Sequence, residues 1–161
     1  MTNHISVETK KILIIRGLPG SGKSSLAKEL KEDHTVIEVD LIDNNDKTLT
    51  IIIAEVSKAL QHNDVILDGI FTQKRSIMSI FTSICDTYPS HSIRMEIREP
   101  QNLWSQSPLG CWLRTIKRAK ESKGPLVSLT SILDMKKRWE KIDALIFRDR
   151  SDPRKGKGIH T

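Results

Sequence analysis

Cysteine is scarce: only Cys85 and Cys111 occur, at a spacing that fits neither a metal site nor a redox pair. A disulfide framework is thereby excluded as the source of stability, and idle or buried thiols in a reducing compartment are expected. The five histidines are scattered, so no structural metal is expected. Aromatics make up only 4% of the chain. Phe71, Trp104, Trp112 and Trp139 stand apart from one another, which suits core packing; Trp104 alone falls in a loop where a base can stack. No run approaches the roughly 18 uninterrupted apolar residues of a membrane helix. The stretch MTNHISVETKK has no apolar h-region, so a secretory signal is not expected and the cytoplasm is the expected location. No Asn-Lys pair occurs, which removes the N-K-x-D element that GTPase switches use to read guanine. Internal repeats and a clear linker are also missing, and the short length argues against a motor ATPase.

What is present is the composition of one globular domain. The 161 residues are 37% hydrophobic and 29% charged, enough chain to bury a substantial core. The net charge of +6 is unevenly placed. Met1 to Leu113 holds 12 basic and 14 acidic residues, a net of −2, whereas Arg114 to Thr161 holds 14 and 6, a net of +8. A basic final third suits polyanions such as phosphates or nucleic acid, and equally suits a solvated basic face.

Apolar periodicity predicts alternating strands and helices. Lys11 to Arg16 is a β-branched run that ends on glycine, the pattern of a buried strand. Further strands are expected at Thr35–Val39, Asp64–Leu67, Ser92–Arg98 and Ala144–Phe147. Helices are expected at Lys23–Lys31, Thr48–Asn63, Gln73–Tyr88, Cys111–Glu121 and Ser128–Lys141, the last with Leu129, Ile132, Leu133 and Met135 towards the core. Strands spaced by such helices imply βαβ units. The expected class is α/β in three layers, with a central parallel sheet of about five strands and helices on both faces. Ligands of such sheets bind at the carboxyl ends of the strands, which draws attention to Gly17, Asp40, Asp68 and Glu99.

Gly17 to Ser24, GLPGSGKS, satisfies G-x-x-x-x-G-K-[ST] at every fixed position. Its glycines allow successive N–H groups to turn inward as an anion nest, and the following helix adds the positive end of its dipole. Gly17, Leu18, Pro19, Gly20, Ser21, Gly22, Lys23, Ser24 and Ser25 are therefore expected to cradle nucleotide phosphates. Lys23 would reach the β- and γ-phosphates, and the Ser24 hydroxyl would ligate Mg²⁺. Asp68 closes an apolar run, as does the carboxylate that holds Mg²⁺ directly or through water in nucleotidases; a turn or cap role competes. Asp40 ends the second strand and can accept the proton of an attacking hydroxyl. Asp43 and Asp46 follow closely, so a solvated acidic loop or helix cap competes there. Arg114, Lys117 and Arg118 share one helical face, from which an arginine can fold over a triphosphate and stabilise charge during transfer. A solvated basic helix is the competing outcome.

These residues together resemble a known group. ILIIRGLPGSGKSSLAKEL, with Val39-Asp40 and VILDG at Val65–Gly69, is similar to the kinase domain of polynucleotide 5′-hydroxyl kinases. Relatives of that group are the tRNA-ligase kinase modules and the cyclic nucleotide phosphodiesterase-like proteins. IREPQNLW, a basic helix and SLTSILDMKKRWEKI are similar to the family's strand, lid helix and closing helix, so the resemblance covers most of Ile12 to Ile142. It implies a P-loop kinase fold over residues 1–147 with a helical lid at about 101–125, followed by a basic tail at 148–161. It also implies ATP, Mg²⁺ and transfer of the γ-phosphate to a hydroxyl. Lys23 and Ser24 would hold phosphate and metal, Asp40 falls where the family places its general base, and Arg118 or Arg114 falls near its lid arginine. One departure stands out. The family carries an arginine shortly after the base to hold the acceptor's phosphate, whereas DLIDNND offers Asp43; Arg75 is a candidate substitute.

The leading expectation is an ATP-dependent kinase acting on the 5′-hydroxyl of RNA or DNA. The missing arginine favours an alternative that phosphorylates a small metabolite such as a nucleoside, sugar or antibiotic. A non-catalytic NTP-binding regulatory or nucleic-acid-binding module is the third possibility.

Overall fold

Alternate residues of the first strand serve two different cores, as a strand buried on both faces must. Ile12 and Ile14 join one apolar cluster, while Ile15 joins another with Leu13 beside it. The computed structural model describes residues 7–39, 46–101 and 107–150. In chain order its elements are β1 (Thr9–Arg16), α1 (Lys23–Leu30), β2 (His34–Val39), α2 (Asp46–Ala59), β3 (Asp64–Gly69), α3 (Lys74–Thr87), β4 (Ser92–Arg98), α4 (Pro108–Lys120), α5 (Leu129–Lys137) and β5 (Leu145–Arg148). The expected Asp40, Asp43 and Trp104, and the tail from 151 to 161, lie outside the described residues.

The five strands form one sheet in the order β2-β3-β1-β4-β5. β1 lies parallel to both β3 and β4, and β2 lies parallel to β3. The α/β class with a five-stranded sheet is as the sequence implies, with one difference: β5 runs antiparallel to β4. The connection explains it. Glu140, just past α5, donates its N–H to the Thr72 carbonyl, near the carboxyl edge where β3 has ended. The few residues from there to Leu145 carry no helix that could return the chain to the opposite edge, so the strand must run back.

The larger core packs α2 and α3 on one face through Ile52, Val56, Ile77, Ile80, Phe81 and Ile84. A smaller cluster sets Ala27 of α1 against Ile15 and Ile66 on the other face. A third, at the carboxyl edge, joins Leu18, Ile70, Cys111, Ile132 and Met135, with Trp112 and Trp139 against it. Both cysteines are buried and form no disulfide, and desolvation pushes their thiols up. No helix among the described residues is long and apolar enough to cross a membrane.

Three boundaries differ from expectation for local reasons. α4 starts at Pro108, ahead of Cys111, because Ser107 caps it, accepting the Gly110 N–H, and Pro108 suits the first turn. α5 stops at Lys137, ahead of Lys141, and Leu133 on it is 42% exposed where a core position was expected. β3 runs through Asp68 and Gly69, because both pair with β1 and β2.

Candidate functional site

The glycine-rich loop leaves β1 at Gly17 and enters α1 at Lys23. Gly20 and Gly22 take φ of +79° and +94°, a region that side chains with a Cβ rarely adopt. Gly20 is required twice over, since a Cβ there would stand 2.3 Å from the Cys111 carbonyl oxygen of α4. Ser21 is buried, and its N–H closes the turn onto the Leu18 carbonyl at 3.0 Å. α1 begins at Gly22 with no side-chain cap and no acidic residue in its first turn. Its leading N–H groups and dipole therefore face the loop, the arrangement that favours an anion. The Lys23 ammonium folds back onto the Leu18 carbonyl at 3.2 Å, within the same loop.

Three cavities meet at this loop. The main one, about 840 Å³, is lined by Pro19, Gly20, Lys23 and Ser24 of the loop and α1, and by Asp68 at the end of β3. Arg118 of α4 and Ser128, Ser131 and Met135 of the α5 region close it. A side cleft of about 560 Å³ lies against Gly22, Ser25, Leu26, Glu99 and Arg114. A rear cleft of about 380 Å³ touches Gly17, Leu18, Ser21, Lys136 and Trp139. α4 thus straddles the loop with its two arginines on opposite sides: Arg118 faces the main cavity, while Arg114 borders the side cleft and donates to the Gly20 carbonyl at 3.3 Å.

Asp68 is 4% exposed and is the register partner of Glu38 in β2. Both carboxylates line the main cavity. Like charges directly opposite on neighbouring strands are destabilising unless a cation lies close to them. Among the described residues no group of three or more His, Cys, Asp or Glu could hold a metal by itself. One buried carboxylate with a serine hydroxyl fits instead a Mg²⁺ that arrives on nucleotide phosphates and completes its shell with their oxygens and water.

No protein-family model matches the chain, and no curated protein matches it either. Solved structures do. That of a protein named APE1195 matches with a TM-score of 0.53 and 19% identity, over 80% of this chain and 79% of its own. That of a fungal RNA kinase matches with a TM-score of 0.51 and 18% identity, over 86% of this chain and 69% of its own. At such identity the likeness is one of fold: a mostly parallel five-stranded sheet flanked by helices, shared with a kinase.

Of the residues singled out from sequence, Lys23, Ser24, Asp68 and Arg118 meet at the main cavity. Arg114 does not join them there, because it is drawn to the loop's other side. Arg75 is exposed in the first turn of α3 and lines none of the three cavities. Glu38, Ile70, Ser128 and Ser131 line the main cavity although the sequence reading passed over them. Glu38 carries a usable signal, as the charged residue interrupting the apolar run Val36, Ile37 and Val39.

Proposed function

We propose that this chain is an ATP-dependent kinase that transfers the γ-phosphate to a hydroxyl, with the 5′-hydroxyl of RNA or DNA as the acceptor. The observation that carries the reading is the convergence of Lys23, Ser24, Asp68 and Arg118 on one cavity at the carboxyl edge of the sheet. The loop from Gly17 to Ser25 holds the phosphates, and the nucleoside part of the donor takes the side cleft by Arg114. Ser24 and Asp68 would hold Mg²⁺, which would supply charge neutralisation to the nucleotide phosphates. Lys23 stabilises the transferring phosphoryl group, and Arg118 does so from the lid. Asp40, the residue after cavity-lining Val39, accepts the acceptor's proton.

The acceptor assignment draws support from the family resemblance, from the fold shared with an RNA kinase, and from the exposed Lys117, Arg118 and Lys120 beside the cavity. One observation favours a small-metabolite acceptor instead. Much of the cavity's lining is uncharged, with Ile70, Pro125, Leu126, Val127 and Met135 beside the Ser128 and Ser131 hydroxyls. A neutral, flat-faced acceptor fits such a lining without a second phosphate.

Transfer of label from γ-labelled ATP to 5′-hydroxyl oligonucleotides, run beside nucleosides and sugars, separates the two. Label on oligonucleotides is the expected result. Label confined to small molecules sinks the polynucleotide reading, and nucleotide binding without transfer to any acceptor supports a non-catalytic module. Asp68→Asn tests the metal assignment. Transfer is expected to fall by about 10²-fold or more, the loss typical of removing one charge-stabilising group, while nucleotide binding measured without Mg²⁺ holds. An unchanged rate would release Asp68 from that role.

A further inference from the structure

The most deeply buried cation of the described chain is not in the loop but immediately before it. Arg16, the last residue of β1, is 1% exposed. Burying a guanidinium is costly unless its partners are well placed, and removing it alone would leave those partners uncompensated.

Its partners come from two distant segments. The guanidinium carbon lies 4.0 Å from the centre of the Trp139 ring, a cation–π contact. One Nη donates to the Glu140 carbonyl at 2.9 Å. Nε stands 3.3 Å from Glu99 Oε1, an ion pair that lacks the alignment of a hydrogen bond. Trp139 Nε1 donates to the same Glu99 oxygen at 3.3 Å. Glu140 extends the cluster, since its carboxylate accepts the Lys74 N–H at 2.7 Å and so caps α3 from a distance. Desolvation lowers the Arg16 pKa, and the carboxylates of Glu99 and Glu140 oppose the shift.

The placement gives the cluster a consequence beyond packing. Gly17, the next residue, begins the phosphate loop. Trp139 and Glu140 end the segment whose helix, α5, supplies Ser131 and Met135 to the main cavity. Trp139 and Glu99 also border the rear cleft together with Gly17, Leu18 and Ser21. One planar guanidinium thus stands between the loop's entry and the segment that follows α5.

We propose that Arg16 is a positioning residue that couples phosphate binding at the loop to the placement of α5 over the main cavity. The coupling rests on the nucleotide-binding reading above. It assigns Arg16 no contact with substrate. Its effect runs through Trp139 and Glu140.

Hydrogen exchange by mass spectrometry, with and without a non-hydrolysable ATP analogue and Mg²⁺, tests it on the full chain. In the wild type, amides of residues 17–26 and of α5 are expected to slow together, α5 by about tenfold, the scale of one desolvated cation–π contact. In Arg16→Met the loop amides still slow and the α5 response is lost. Trp139→Leu, which removes the platform and leaves β1 untouched, gives the same loss and carries the test if Arg16→Met does not fold. A merely structural role would weaken both responses together. An α5 response that persists in either folded variant overturns the coupling, as does a wild type that binds the analogue while α5 stays unchanged. A wild type that binds no analogue at all overturns the nucleotide reading itself.

Discussion

Lys23→Ala is expected to lower phosphoryl transfer by about 10³-fold while leaving the protein folded. The fold has little at stake in this side chain. Lys23 is half-buried at the first position of α1, where alanine is a good helix former, and its hydrogen bond to the Leu18 carbonyl stays within the same loop. Stability should therefore stay within about 1 kcal/mol of the parent. The chemistry has much at stake. The ammonium is the one loop cation lining the main cavity, and it stands at the N-terminus of an uncapped helix, where developing phosphoryl charge would be held. A group that stabilises charge mainly in the transition state lowers kcat and kcat/KM alike when removed, with a smaller effect on nucleotide affinity. Steady-state kinetics beside a thermal melt checks this. A folded Lys23→Ala protein that transfers phosphate within tenfold of the parental rate would remove the loop from the donor site.

Legibility followed the range over which each feature is encoded. The turn from β1 into α1 was readable because its determinants are contiguous: the two positive-φ glycines, Lys23 and Ser24 lie within five residues of one another. The strand and helix order was readable because strands buried on both faces are continuous apolar runs and the helices carry a strong apolar face. Asp68 was visible as a strand-ending carboxylate, but its pairing with Glu38 depends on strand register, which no local pattern specifies. The direction of β5 was hidden for a similar reason, being set by where α5 ends. That end depends on Trp139 and Glu140 turning away to meet Arg16, a contact spanning 124 residues of sequence. The two α4 arginines looked equivalent on a helical wheel. They part company only because α4 crosses the loop at Gly20, so that one falls on each side of it.

Arg148 is the residue whose role sequence misled most, and its removal carries the largest expected loss of stability. A position that begins a basic run invites assignment to a solvated tail, yet Arg148 ends β5 and is 8% exposed. Its side chain reaches the far end of α3. Nη1 donates to the Cys85 carbonyl at 2.7 Å, and Nη2 donates to Tyr88 and, at 3.0 Å, to the His91 carbonyl. These are acceptors at and beyond the helix terminus, where intrahelical donors run out and the dipole favours a cation. Truncation would leave the Cys85 and His91 carbonyls without this donor, each costing about 1–3 kcal/mol where water cannot reach it, while the Tyr88 carbonyl keeps the His91 N–H at 3.2 Å. Arg148→Ala is expected to destabilise by about 4 kcal/mol in total, with partial relaxation and hydration taking up the rest. For a domain of this size that corresponds to about 12 °C in Tm. Arg148→Met keeps the aliphatic packing and should recover little of the loss. Arg148→Lys keeps the charge but not the planar fork, and should fall between Arg148→Met and the parent. Urea unfolding of the three variants distinguishes these terms, since a pure loss of stability moves the midpoint at constant slope. If Arg148→Met unfolds within about 1 kcal/mol of the parent, these carbonyls are satisfied without the guanidinium, and β5 holds the C-terminal end of α3 by its ladder with β4 alone.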